Sequence, residues 1–202
     1  MGRPRQHDDE VRVALLHAAE QIVEQEGADA LSVRAVADAV GTTTRAIYSV
    51  FGSKAGLLEA LAARLFELLA DAIETVRLTD DPSRDLVTAS LVGFRRTALQ
   101  HRALYNLVFL RVVGDLQLGP HFEEVAAKTF AKLQFLVQRT IPGSTKAQAI
   151  VAARSVHALT EGLATMELRG ALGGERSAQH TWTVALNALI GGLRDPPLTD
   201  DT

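Results

Sequence analysis

The chain has 202 residues, of which 47% are hydrophobic and 22% are charged, and its formal net charge is −3. This composition suits one or two compact domains, and the slightly acidic balance argues against a protein that binds nucleic acid through bulk charge alone. The chain has no cysteine, which excludes disulfides, thiolate metal sites and cysteine catalysis.

The sequence also lacks membrane and export signals. No apolar run approaches the roughly 20 residues that span a bilayer, and the opening MGRPRQHDDE has no apolar core like that of a secretory signal. We therefore expect a cytoplasmic protein with no membrane partner. No pattern in the sequence calls for a cofactor or a bound metal.

The first seven residues are polar and basic. Arg3 and Arg5 flank a proline, as in arms that place arginine in a minor groove; a disordered tail is the alternative. Asp8 or Asp9 can cap a first helix that ends at Gly27. Its apolar stripe consists of Val11, Leu15, Ala18 and Ile22.

Residues 31–58 predict two short helices, a tight turn between them and the start of a third helix. Ser32 can cap the first helix, and Gly41 ends it because glycine takes a left-handed conformation without steric cost. The second helix ends at Gly52, and Ser53 caps its successor. The inner faces of the two helices consist of Val33, Val36, Ala37 and Val40, and of Ala46, Ile47, Val50 and Phe51.

Two short helices around a glycine turn indicate a helix-turn-helix, whose second helix enters the major groove by its N-terminal end. That end carries Thr42, Thr43, Thr44 and Arg45, and a protein core requires none of these side chains. Arg45 is the best candidate for base reading, because a guanidinium can donate two hydrogen bonds to guanine. A purely structural corner is the alternative.

The same stretch resembles the TetR family of transcriptional regulators, whose pattern is G-x6-Y-x2-F-x2-K-x2-LL. The matching residues are Gly41, Tyr48, Phe51, Lys54, Leu57 and Leu58. The resemblance implies that Tyr48 and Lys54 contact phosphates and that the early residues of the recognition helix read bases. The predicted DNA-binding residues are Arg3, Arg5, Ser32, Arg34, Thr42, Thr43, Thr44, Arg45, Tyr48 and Lys54.

The rest of the chain also reads as helices. We expect them over residues 53–76 and 82–100, from Leu104 to a break at Gly114, from Pro120 to Pro142, and over residues 145–169 and 177–193. No stretch alternates with the period of a strand. The predicted fold is all-α, with an N-terminal three-helix domain over residues 1–58 and a helical ligand-binding and dimerisation bundle over residues 59–202.

Residues 157–168, HALTEGLATMEL, resemble the Trp-His-Gly stretch in the regulatory domains of one TetR branch. Gly162 fits that pattern, but His157 and Glu161 stand where the branch has tryptophan and histidine. The resemblance therefore implies no particular ligand.

An effector site is expected on the middle helices. The candidate ligand-binding residues are Phe94, His101, Tyr105, Phe109, Phe130, His157 and Glu161. His157 and Glu161 are four residues apart on one helix face, either as a polar spot in an apolar cavity or as an ordinary solvated pair. Two ligands without a third make a poor metal site.

The last helix carries a large apolar set, and we expect part of it to form the interface of a homodimer. The predicted interface residues are Trp182, Leu186, Leu189, Ile190 and Leu193. A two-fold dimer would match a palindromic operator.

The sequence thus predicts a DNA-binding transcriptional regulator, most simply a repressor that a small-molecule effector releases from its operator. One alternative is an all-α enzyme that retains the helix-turn-helix as scaffold. His101, Tyr105, His157 and Glu161 would be its acid–base groups, but no nucleophile–base or metal constellation supports it. The other alternative is a regulator with a filled core that responds to no ligand.

Overall fold

The computed structural model describes residues 4–110 and 118–194, and within these ranges all regular structure is helical. The predicted all-α fold class is therefore confirmed. None of the described helices is long and apolar enough to cross a bilayer. The α-helices are α1 Pro4–Glu26, α2 Val33–Val40, α3 Thr44–Phe51, α4 Lys54–Glu74, α5 Pro82–Ala89, α6 Arg96–Gln100, α7 Arg102–Phe109, α8 Pro120–Thr140, α9 Lys146–Leu168 and α10 Glu175–Arg194.

The chain forms two compact units that are not continuous in sequence. The first unit combines the residues up to Phe66 with His101–Ala126, and the second combines Glu67–Gln100 with the residues from Ala127 onward. Helices α4 and α8 each contribute to both units. The predicted boundary after Leu58 stays a prediction.

Short-range signals determine where α2, α3 and α4 begin and end. The Ser32 hydroxyl accepts a hydrogen bond from the Ala35 amide at 3.1 Å, and the Ser53 hydroxyl accepts one from the Gly56 amide at 3.0 Å. Gly41 has a φ of 69° and Gly52 a φ of 73°, which a residue with a Cβ rarely adopts. The two serine caps and the two glycine ends predicted from the sequence are confirmed.

The start of α1 differs from the prediction. The helix begins at Pro4, so Asp8 and Asp9 lie inside it and not at its N-cap position. Proline suits the first position of a helix, because its fixed φ is helical and its missing N–H would be unpaired there anyway. Arg5 therefore lies in the first turn of α1 and not in an extended arm, and Arg3 lies outside the described residues.

The core of the first unit fixes the short helices against α1. Ile47 of α3 is fully buried, which gives this eight-residue helix its anchor. An isolated helix of that length is not stable in water, so tertiary packing must hold it. The buried residues that surround this core include Leu15, Ala19, Val23, Leu31, Val36, Ala37, Leu57 and Leu61.

The second unit contains a π-helical turn that the sequence did not predict. Residues Ser90–Arg95 join α5 to α6 in π-helical geometry. Gly93, within this turn, is buried against α4, and a Cβ at this position would lie 2.7 Å from Ile73 Cγ1. Only glycine therefore allows α4 and the π turn to approach so closely without a shift.

Side-chain caps begin two helices of the second unit. Asp81 accepts from the Arg84 amide at 3.1 Å, and Pro82 is the first residue of α5, where the sequence predicts a helix to begin. Thr145 caps α9 in a reciprocal pair with Gln148. A glutamine three residues after the threonine makes this capping box favourable.

A buried carboxylate ties the start of α5 to the end of α8. Asp85 is 2% exposed and accepts from the Thr79 amide at 2.8 Å, the Thr79 hydroxyl at 2.7 Å and the Arg139 guanidinium at 2.7 Å. The hydrogen bond from the Thr79 amide, followed by that from Arg139, lowers the pKa of Asp85 to about 2.

Asp85→Asn should destabilise the protein at neutral pH and lose that effect in acid. The folded-state pKa lies below the ordinary value of about 3.9, so the carboxylate contributes stability above pH 4 that disappears as the pH falls toward 2. Urea midpoints of both proteins between pH 7 and pH 2.5 would measure this, with Asp80→Asn at an exposed position as the control. If the difference in urea midpoint between the parent protein and Asp85→Asn stayed constant over this pH range, the lowered pKa of Asp85 would be contradicted.

Candidate nucleic-acid interface and effector site

Helix α3 presents polar side chains at its N-terminal end while its opposite face is buried. Thr43, Thr44 and Arg45 are exposed, and Tyr48 on the next turn is 52% exposed. Tyr48 is therefore a surface residue and not a core residue with its hydroxyl at the rim. This end of α3 can enter a groove without disturbing the Ile47 anchor.

Other predicted DNA contacts lie before and after α3 in the chain. Lys54 is exposed at the first position of α4, and Thr42 is half-buried in the turn. The Ser32 hydroxyl accepts a bond from α2 but keeps its own proton available for a phosphate oxygen. Each of these residues stays a predicted contact.

Arg34, another predicted DNA contact, already has an ionic partner on its own helix. Its guanidinium lies 3.9 Å from the Asp38 carboxylate, and both side chains are exposed. An exposed pair of this kind contributes little stability, so Arg34 can exchange Asp38 for a phosphate at small cost.

A cation–π contact attaches the end of α3 to α1. The Arg12 guanidinium carbon lies 5.3 Å from the centre of the Phe51 ring, within the range where such contacts are favourable. Phe51 stands out in the sequence by its family position, but its contact with Arg12 does not, because the two residues are far apart in the chain.

Four predicted effector residues come together in the second unit. The His157 ring meets the Phe94 ring edge to face at 5.9 Å between centroids, and the Phe130 ring at 6.4 Å. Glu161 approaches His157 Nε2 to 3.8 Å. Phe94 belongs to the π turn, and π turns occur often at functional sites. We call Phe94, Phe130, His157 and Glu161 the aromatic cluster.

Burial controls the protonation of His157. Loss of water around the ring lowers the pKa of His157, and the nearby Glu161 carboxylate opposes that shift. The imidazole is therefore neutral at pH 7, with one nitrogen that donates and one that accepts. A neutral hydrogen-bonding ring between two phenyl groups suits a mostly apolar ligand with a few polar atoms.

The other three predicted effector residues lie in the first unit. His101 Nδ1 is 3.0 Å from Glu20 Oε1 of α1. Tyr105 is fully buried and packs on Phe109 at 4.8 Å between ring centroids. His101, Tyr105 and Phe109 therefore make contacts within the first unit and are not members of the aromatic cluster, and their part in an effector site stays a prediction.

The predicted dimer interface also needs correction. Trp182, Leu186 and Ile190 are buried within the single chain, so they form core and cannot contact a partner. Trp182 Nε1 donates to Glu167 Oε2 at 2.8 Å, and Glu167 also pairs with Arg95. The apolar side of α10 was assigned to a dimer interface, whereas α9 and α5 of the same chain pack against this helix. Leu189 and Leu193 are half-buried, and their place in an interface stays a prediction.

The comparisons with known proteins agree with this geometry. Residues 15–61 match the family described as bacterial regulatory proteins, tetR family. Residues 87–189, more than half of the chain, match the tetracyclin repressor-like C-terminal domain. The chain belongs to the TetR family. No curated protein matches this TetR family regulator significantly in sequence.

Solved structures share the fold of this TetR family member. A Rhodococcus sp. RHA1 protein of unknown function is 24% identical, with a TM-score of 0.76 over 91% of this chain and 95% of that one. A possible TetR family transcriptional regulator from Streptomyces coelicolor A3(2) is 21% identical, with a TM-score of 0.67 over 91% and 98%. A TetR variant from Acinetobacter baumannii AYE, in complex with minocycline, is 22% identical, with a TM-score of 0.62 over 88% and 93%.

The protonation of His157 can be measured directly. Its imidazole resonance should titrate below the ordinary value of about 6.5, because burial disfavours the charged ring. Glu161→Gln should lower the midpoint further, since it removes the carboxylate that opposes the shift. Proton NMR between pH 4 and pH 9 would show both effects, with His157→Gln to assign the resonance. A midpoint at or above the ordinary value would contradict the buried placement of the ring.

Proposed function

We propose that this TetR family regulator is a repressor that binds a palindromic operator as a homodimer and leaves it when a small molecule binds. The observation that best supports DNA reading is the amphipathic division of α3. Ile47 is fully buried on one side, while Thr43, Thr44 and Arg45 are exposed at the N-terminal end. A recognition helix needs this division.

The aromatic cluster is the proposed effector site. It combines two phenyl rings, a neutral imidazole and a carboxylate on three different helical segments. The similar TetR protein in complex with minocycline supports a small-molecule role for this fold. In the proposed mechanism, the effector prefers a conformation in which the two recognition helices no longer match major grooves ~34 Å apart.

An enzymatic function has less support. The acid–base groups that an enzyme would use belong to different compact units, since His101 lies in the first and His157 in the second. His101 is bonded to Glu20, and Tyr105 is fully buried. We infer that these two side chains hold the fold together and take no part in chemistry.

The exposed faces of α9 and α10 are the proposed dimer surface. Val151 and Met166 of α9 and Val184 of α10 are large apolar residues with about half or more of their surface exposed. Ala158 and Gly162 lie between the two α9 residues and are also exposed. Apolar residues separated by small ones suit close packing against a second copy of the helix pair.

Base reading can be separated from phosphate binding by two substitutions. Arg45→Ala should weaken operator binding by ~1–3 kcal/mol and relax the preference at one base pair. Lys54→Ala should weaken binding about equally on all sequences and reduce the salt slope by ~1. Titration of operator and unrelated duplexes at several salt concentrations would measure both, with the exposed Lys146→Ala as the control. Unchanged affinity and base preference in Arg45→Ala would mean that α3 is not the reading helix.

The dimer surface can be tested by placing a charge at its centre. Val184→Glu should produce a folded monomer, because an unpaired carboxylate would lose its water in the interface. Val13→Glu, at another exposed valine, should leave the association unchanged. Sedimentation velocity and circular dichroism on the same samples would decide the question, and a dimer of full strength in Val184→Glu would place the interface elsewhere.

A further inference from the structure

Gly56, in the first turn of α4, lies directly against the backbone at the end of α3. A Cβ on Gly56 would overlap the carbonyl oxygen of Phe51 and would lie 3.2 Å from its carbonyl carbon. A carbon atom and a carbonyl oxygen that are not bonded to each other stay about 3.3 Å apart or more. Any residue with a side chain at position 56 would therefore force the two backbones to separate by about 1 Å.

Other contacts hold both sides of this approach in place. The end of α3 is fixed by the buried Ile47 and by the Arg12 guanidinium, which lies 5.3 Å from the centre of the Phe51 ring. Leu57 follows Gly56 directly and is fully buried, so it fixes the continuation of α4. The displacement would therefore fall on the turn before Gly56 and on the first residues of α4.

Two predicted phosphate contacts lie on the two sides of this corner. Tyr48 is exposed on the last turn of α3, and Lys54 is exposed at the first position of α4. Gly52 joins the two helices with a φ of 73°, and its amide donates to the Tyr48 carbonyl at 2.9 Å. Because the connection is short, the approach of α4 to α3 sets the distance between the two side chains.

We propose that Gly56 is a positioning residue for DNA binding, a role that rests on the proposed function. Because it has no side chain, α4 begins close enough to α3 for Tyr48 and Lys54 to contact phosphates together. Gly56 has no side chain with which to reach DNA, and its amide donates to the Ser53 hydroxyl at 3.0 Å. It therefore acts through the placement of Lys54.

Gly56→Ala should reproduce the DNA-binding defect of Lys54→Ala although it changes no charge. Affinity should fall about tenfold on operator and unrelated duplexes alike, because phosphate contacts carry no sequence information. The salt slope should fall by ~1, and the base preference attributed to Arg45 should be kept. Titrations of both duplexes at several salt concentrations would measure these quantities, with circular dichroism to verify that each variant is folded.

A double-mutant cycle separates positioning from a general loss of stability. If Gly56 acts through Lys54, Gly56→Ala should cost little further affinity in a chain that already carries Lys54→Ala. Ser53→Ala frees the Gly56 amide without adding an atom to the corner, so it should weaken binding and be equally non-additive with Lys54→Ala. This second variant decides the question if Gly56→Ala does not fold. Gly174→Ala, where a Cβ would meet nothing within 4 Å, is the control and should bind like the parent.

Additive losses in the cycle, unchanged affinity in Gly56→Ala or a relaxed base preference would each overturn the positioning role. Crystal structures of the parent and of Gly56→Ala without DNA would show whether the first turn of α4 moves by about 1 Å, and an unmoved turn would also overturn it. If the parent bound no duplex, the proposed function would fail while these structures still decided whether Gly56 places Lys54. If the turn moved and DNA affinity did not change, the role of Gly56 in binding would be wrong.

Discussion

Ile47 is the residue on which the placement of the recognition helix depends. Helix α3 has only eight residues, and Gly41 and Gly52 turn the chain sharply at its two ends. A helix this short has little stability of its own. Its orientation is therefore set by the burial of Ile47 and by the Arg12 contact with Phe51. Because the buried side fixes the helix, the residues on its exposed side can vary to suit an operator.

A different constraint organises the second unit. Arg95 pairs with Glu167 through a contact of 2.6 Å, with both side chains nearly buried, and Trp182 Nε1 donates to the same carboxylate. The paired Glu167 carboxylate raises the pKa of Arg95. Loss of one partner from such a group leaves a buried charge uncompensated and is strongly destabilising. The network therefore fixes the π turn, α9 and α10 relative to one another. The π turn also supplies Phe94 to the aromatic cluster, so the proposed effector site and the core network share one irregular segment.

The elements that the sequence predicted are those with local signals. Ser32, Gly41 and Ser53 define helix ends through residues within four positions of them, so these boundaries followed from the sequence. The π turn was missed because the same apolar period fits an uninterrupted helix. Trp182 was misplaced because the carboxylate that satisfies its indole nitrogen comes from the preceding helix.

Long-range polar contacts explain the remaining differences. Two acids of α1 have structural partners that the net charge of the chain does not reveal: Glu20 and Glu24 bond to His101 and to the start of α7. No spacing rule links residues so far apart in the chain. All four members of the aromatic cluster were among the predicted effector residues, but helical spacing could not separate His157 from His101 as members of different units.

The proposed function requires sequence-specific recognition of a two-fold operator. Repeated selection of bound duplexes out of a random-sequence pool by the full chain would test it most directly. We expect an enriched inverted repeat whose half-sites lie one helical turn, ~34 Å, or a multiple of it apart. Duplexes retained without any shared motif after the same rounds of selection would contradict it.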